Sequence, residues 1–198
     1  MHAFLSGFSL TISLILSIGA QNAFVLKQGI KKEHIFIICF ICGLSDAVLI
    51  FLGVSGFGFL VEKFPSIETL ARYGGFTFLF AYALKSFYSA YSMSHQLNPE
   101  GTAPKSLFKT VLLTIAFTWL NPHVYLDTVL LLGSFSTKFG DMAPLFGFGA
   151  MTGSFIFFFT LGYGARILAP LFKKPKSWKI LEFIIGCIML FLAIMLIV

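Results

Sequence analysis

Asp46 and Asp127 are the residues of this sequence best placed to do chemistry, because each stands inside a long apolar run. A carboxylate in the middle of a hydrocarbon layer costs at least about 2.5–3.5 kcal/mol unless it is paired or hydrated. Asp46 lies about eleven residues, roughly 16 Å, into its run. It shares a helical stripe with Cys39, Cys42, Gly43, Gly53 and Gly56, small residues that let a backbone or a ligand come close. Asp127 follows His123 by one helical turn, on the same face. Two such carboxylates can bind cationic nitrogen or carry protons, and His123 is placed either to shuttle a proton or to make a local hydrogen bond. An ion pair with Lys85 or Arg72 is the structural alternative for either Asp.

Two polar strings interrupt otherwise apolar runs, Gly19-Ala20-Gln21-Asn22 and Asn121-Pro122-His123. Asn is a favoured helix N-cap and Pro a favoured first helical residue, while Pro within a helix removes a backbone donor and clashes with the preceding turn. The chain is therefore predicted to stop and restart at Asn121-Pro122, and Asn22 is predicted to cap a second half-helix in the same way. A restarted half-helix aims free N–H groups and partial positive charge into the layer, a site for a carboxylate. A zwitterion would then place its carboxylate near Asn121 or Asn22 and its cationic nitrogen near Asp46 or Asp127. The second carboxylate calls for a second positive charge, from a basic side chain or a proton. The alternative for each break is a packing kink filled by neighbouring side chains.

The elements that must hold these residues follow from composition. Of 198 residues 58% are hydrophobic and 11% charged, and 26 are Phe; mean hydropathy is +0.92. About a quarter of the residues of a soluble domain are charged, so this is an all-α membrane protein. Runs of about 20 apolar residues span a bilayer as helices, and the short alternation of a β-barrel strand is absent. Six such helices are predicted at about 3–28, 35–61, 67–92, 108–136, 142–170 and 178–197. They leave no room for a large extramembrane catalytic domain. The chain is expected to form one transporter domain: a first repeat over about 1–93, a polar linker over about 94–106 and a second repeat over about 107–198.

Lys27, Lys31, Lys32, Lys105, Lys109, Lys173, Lys174, Lys176 and Lys179 gather in the first, third and fifth connections, against Lys63 and Lys138 opposite. Those three connections are predicted to be cytoplasmic and both termini outside. Three helices per half then enter the membrane in opposite senses, the construction of inverted repeats. A faint internal similarity agrees: Gly43, Asp46, Phe51 and Gly56 align at constant offset with Gly149, Thr152, Phe157 and Gly162.

The net charge of +6 thus reads as topogenic, with attraction to anionic lipid, and not as a nucleic-acid surface. Cys39, Cys42 and Cys187 lie in apolar runs and read as buried thiols, without metal spacing. Gly149-x-x-x-Gly153 can pack helices within the bundle or at a homodimer interface. No nucleotide-binding loop or nucleophile elbow is present, so neither an enzyme nor a cofactor is expected.

The strings Ser17-Ile18-Gly19-Ala20-Gln21-Asn22-Ala23-Phe24-Val25, Lys27-Gln28-Gly29-Ile30-Lys31, Ser45-Asp46 and Thr118-Trp119-Leu120-Asn121-Pro122-His123-Val124-Tyr125-Leu126-Asp127 resemble the LysE family of amino-acid exporters, in its lysine/arginine branch. The similarity covers essentially the whole chain; Ala20 stands where the family usually has Pro. The resemblance implies efflux of L-arginine or L-lysine across the bacterial inner membrane, driven by membrane potential or proton entry, with roles for Asp46 and Asp127. Substrate contacts are expected at Asn22, Asp46, Asn121 and Asp127, proton coupling at Asp46, Asp127 and His123, and helix breaks at Gly19, Gln21 and Pro122. A transmembrane thiol–disulfide electron carrier is the alternative from another class. Export of neutral amino acids or metal cations is the alternative within the superfamily.

Overall fold

Residues 1–16, 19–56, 65–92 and 106–197 are described by a computed structural model, and the predicted linker lies almost wholly outside them. The described residues are helical almost throughout, with no strand. The first apolar run is two helices, α1 (His2–Ile15) and α2 (Ala20–Lys31), whose axes meet at 83°. Lys32 and His34 take left-handed backbone angles and turn the chain into α3 (Ile35–Val54). That helix was expected to run to about 61. It stops at Val54 because Gly56, at φ 85°, leaves the right-handed helical region that continuation requires.

Next come α4 (Pro65–Ser92) and α5 (Leu107–Trp119). A second helical run follows: α6 (Pro122–Val124), a π-helical stretch (Tyr125–Leu131) and α7 (Leu132–Ser136). A 3-10 segment (Thr137–Met142), turned by Gly140 at φ 49°, leads to α8 (Ala143–Leu168). A further 3-10 segment (Ala169–Lys173) precedes α9 (Pro175–Met195). Among the described residues three helical stretches are long and apolar enough to cross a membrane, and the bent pair α1–α2 makes a fourth.

Their packing follows the logic of a lipid solvent. Helix α3 exposes Phe36, Phe40, Leu44, Val48 and Phe51 and buries Cys39, Cys42, Gly43, Asp46 and Gly53. Apolar side chains gain nothing from leaving hydrocarbon, so contact between helices is set by small residues that let backbones close. Both α1 and α2 lie against α8, α3 lies against α8 and against the run 122–136, and α4 pairs with α9. A Cβ on Gly149 would strike the Phe4 carbonyl, and one on Gly7 the Phe146 carbonyl. The Gly149-x-x-x-Gly153 motif therefore packs within the bundle, against α1. In the Phe155–Phe159 stretch, Phe158 is fully buried and the remaining Phe side chains are half-buried.

Candidate functional site

Asn121 sits at the N-cap of the second run with extended backbone, and its Oδ1 accepts a hydrogen bond from His123 N at 3.2 Å. Pro122 takes the first helical position, as its fixed φ and missing donor favour. Across the break the Tyr125 hydroxyl donates to the Trp119 carbonyl at 2.8 Å, so the two half-helices are tied where their backbone ladder is cut. Asp127 follows in the π-helical stretch, a rare geometry that is frequent at functional sites, and is half-buried.

The first break is built differently from expectation. Its N-cap is Gly19 (φ −99°, ψ 167°), and Gln21 and Asn22 lie inside the first turn of α2. Asn22 is not a cap: its Nδ2 donates to the Ile15 carbonyl at 2.7 Å, satisfying an acceptor that the end of α1 leaves free. Gly19 has the room and the extended backbone to take the cap position, which leaves the Asn22 amide to bridge the two half-helices.

On α3, Asp46 is buried at 2% exposure. Ser154 of α8 donates to its Oδ2 at 2.6 Å, while Oδ1 and the Nε2 of buried Gln21 have no hydrogen-bond partner among the described residues. Asp46 is thus held by a hydroxyl. Lys85, the ion-pair partner considered from sequence, instead lies in the surroundings of Lys27, Lys31, Lys109 and Glu182.

These residues line one cavity. Gly19, Gln21, Asn22, Asp46, Asn121 and Asp127 surround a space of about 80 Å³, with Thr11, Leu14, Ile15, Val124, Thr128, Leu132 and Phe158 completing the wall. Typical small-molecule sites measure roughly 300–1,000 Å³, and this space is smaller. The His123 side chain is exposed and outside the lining; its contribution is the backbone N–H that Asn121 caps. Gly56 lies beyond α3, exposed, and leaves the Asp46 stripe.

Sequence reasoning missed a second polar centre. Lys27, counted there among the loop charges, is 5% exposed, and its Nζ lies 2.7 Å from Glu182 Oε2 on α9. The same ammonium sits 5.4 Å from the centroid of the Tyr82 ring and 3.5 Å from its hydroxyl. Glu182 is the lone acid of the last apolar run, and that isolation was the available signal. Lys31, at the end of α2, stands over the Trp178 ring.

All three cysteines are free thiols; Cys39 donates to the Phe158 carbonyl at 3.1 Å, and Cys42 is fully buried. No group of three or more His, Cys, Asp and Glu side chains suited to a metal comes together among the described residues.

A family model described as LysE type translocator matches residues 12–198. A putative amino-acid transporter of Mycobacterium tuberculosis is 40% identical over 187 residues, covering 94% of this chain and 92% of that protein. The arginine exporter protein ArgO of Yersinia enterocolitica is 36% identical over 194 residues, covering 98% and 95%. The protein of the same name in Escherichia coli is 36% identical over 195 residues, covering 98% and 92%. No solved structure matches the chain.

Proposed function

This chain belongs to the LysE type translocator family, so it is a transporter and not an enzyme, and we propose that it exports basic amino acids, arginine or lysine, from the bacterial cytoplasm. The observation that carries this reading is the gathering of Asp46, Asp127 and the capped start of the run 122–136 around one cavity. The first-turn N–H groups of that run suit an α-carboxylate, and two carboxylates suit the two nitrogens of a dibasic amino acid. Relatives bearing the name arginine exporter, aligned over nearly the whole chain, support the same cargo.

In this reading the chain crosses the inner membrane six times as two inverted three-helix halves. Two glycine contacts support it: a Cβ on Gly29 of α2 would strike the Gly162 carbonyl of α8, and one on Gly133 of α7 would strike the Gly53 carbonyl of α3. In each pair the first helix of one half meets the second helix of the other at a glycine, as a pseudo-two-fold relation requires. The inward turn of Lys27 removes one charge from the positive-inside count. Lys31, Lys32, Lys109, Lys174, Lys176 and Lys179 still support a cytoplasmic side for the α2–α3, α4–α5 and α8–α9 connections, with both termini outside.

Moving a monocation out of a negative-inside cell costs about 2.3 kcal/mol per 100 mV, which entry of one proton offsets. Asp46, with one oxygen held by Ser154 and the other without a partner among the described residues, is the carboxylate that alternates between cargo and proton as the halves rock about the cavity. Counterflow of labelled amino acids into vesicles holding the purified protein tests the function. Exchange of arginine or lysine is expected; exchange confined to neutral amino acids or metal cations refutes the assigned cargo.

A further inference from the structure

Glu182 has no part in the cavity, yet it is a carboxylate sealed from water and already holding a cation. Its partner is a lysine ammonium, the group borne by one of the two proposed cargoes. Burying both ions costs several kcal/mol each, and apolar replacement of such a pair is often neutral or stabilising. Packing alone does not call for charge at this place. The ammonium is bracketed by the Glu182 carboxylate and the Tyr82 hydroxyl, oxygen acceptors that an ammonium or a guanidinium can use.

Its position relates it to the cavity. Lys27 lies five residues beyond Asn22 on α2, about 8 Å along the helix from that lining residue. Phe24, Phe117 and Tyr82 fill the space near it, with ring centroids 4.8 Å apart for Phe24–Phe117 and 4.9 Å for Tyr82–Phe117. Tyr82 belongs to both features: its ring packs on Phe117 and its hydroxyl meets the ammonium. Withdrawal of Lys27 would free the Tyr82 hydroxyl and the Glu182 carboxylate together. Lys31, Lys85 and Lys109 also stand in the surroundings of this centre, so an arriving cation replaces the Lys27 ammonium and does not add to it.

We propose that Glu182, with Tyr82, is a second cation-binding position on the cytoplasmic side of the transport route, filled by the ammonium of Lys27 in this conformation and by the cationic side chain of the cargo when that side opens. It rests on the reading of the chain as an exporter of basic amino acids.

The test is counterflow of labelled arginine into lipid vesicles holding the purified protein, with KM and maximal rate resolved separately and thermal stability measured on the same preparations. Glu182→Gln is expected to raise KM for arginine by about tenfold or more, the loss of one charge-assisted contact. The exchanged pair Lys27→Glu with Glu182→Lys keeps an ion pair, and is expected to regain wild-type stability while KM stays raised. An unchanged KM in Glu182→Gln, or return of KM together with stability in the exchanged pair, would show a structural strut and overturn the proposal. If Glu182→Gln fails to fold, the exchanged pair decides alone. Wild-type protein that exchanges neither arginine nor lysine overturns the exporter reading, and this proposal with it; wild-type exchange with either negative result above overturns this proposal only.

Discussion

Ser154 on α8 donates a hydrogen bond to Asp46 on α3, Oγ to Oδ2 at 2.6 Å, with both residues buried and the second carboxylate oxygen left free. The contact joins the middle helices of the two proposed halves, where a pseudo-two-fold axis would pass. It fixes the direction of the carboxylate and leaves one oxygen for a proton or a cationic nitrogen. Asp46→Asn keeps an acceptor for Ser154 and removes the charge. It is expected to insert and fold yet to lose roughly 10–100-fold or more in concentrative arginine export. Ser154→Ala is expected to cost about 1 kcal/mol of stability and a smaller part of the rate. Vesicle export and thermal unfolding of both variants check this, and full export by Asp46→Asn would remove the residue from the coupling role.

Asn121 caps the run 122–136, and its two replacements separate folding from binding. Asn121→Ala is expected to lose about 0.5–2 kcal/mol with the cap. Asn121→Asp retains a good cap but places a fixed negative charge where the cargo carboxylate would lie. It should therefore fold like the wild type and export several-fold less. Equal export by Asn121→Asp and wild type would count against a carboxylate site at that half-helix.

Gly149 sets the approach of α8 to α1, since an added Cβ would meet the Phe4 backbone, which has no rotamer to change. Gly149→Ala is expected to destabilise the protein by about 1–3 kcal/mol, as overpacking does. Gly164 on the same helix has open space around it, and Gly164→Ala should be neutral or stabilising by up to about 1 kcal/mol. Thermal stability of the two variants in detergent provides the comparison.

Cys39 and Cys42 are buried thiols, one bonded to the Phe158 carbonyl and neither lining the cavity. The double replacement by Ala is expected to retain arginine export, with some loss of stability from the smaller side chains. Abolished export in protein that remains folded would instead favour the thiol–disulfide reading.

The all-helical character of the chain, the stop and restart at Asn121-Pro122 and the position of Asp46 and Asp127 inside apolar runs were legible in the residues themselves. Each rests on local physics: the span of hydrocarbon a helix must cross, the missing donor of Pro, the capping reach of Asn and the cost of a charge away from water. Helix α3 ends earlier than its hydrophobicity suggested because apolar composition marks depth in a bilayer, whereas a left-handed Gly56 ends the helix.

Only the tertiary structure decided what the remaining polar side chains face. Asn22 sits at the right place for a cap, but Gly19 takes that position and Asn22 reaches back to Ile15. Lys27 stands near the end of a helix, where its sequence neighbours allow a long side chain to extend toward water or turn inward. Glu182, 155 positions away, determines which. Helical periodicity assigns a residue to a face, but the identity of the neighbour on that face comes from how distant helices close on one another. Glycine contacts such as Gly149 on Phe4 and Gly133 on Gly53 set that closing distance, and with it which polar groups share a cavity.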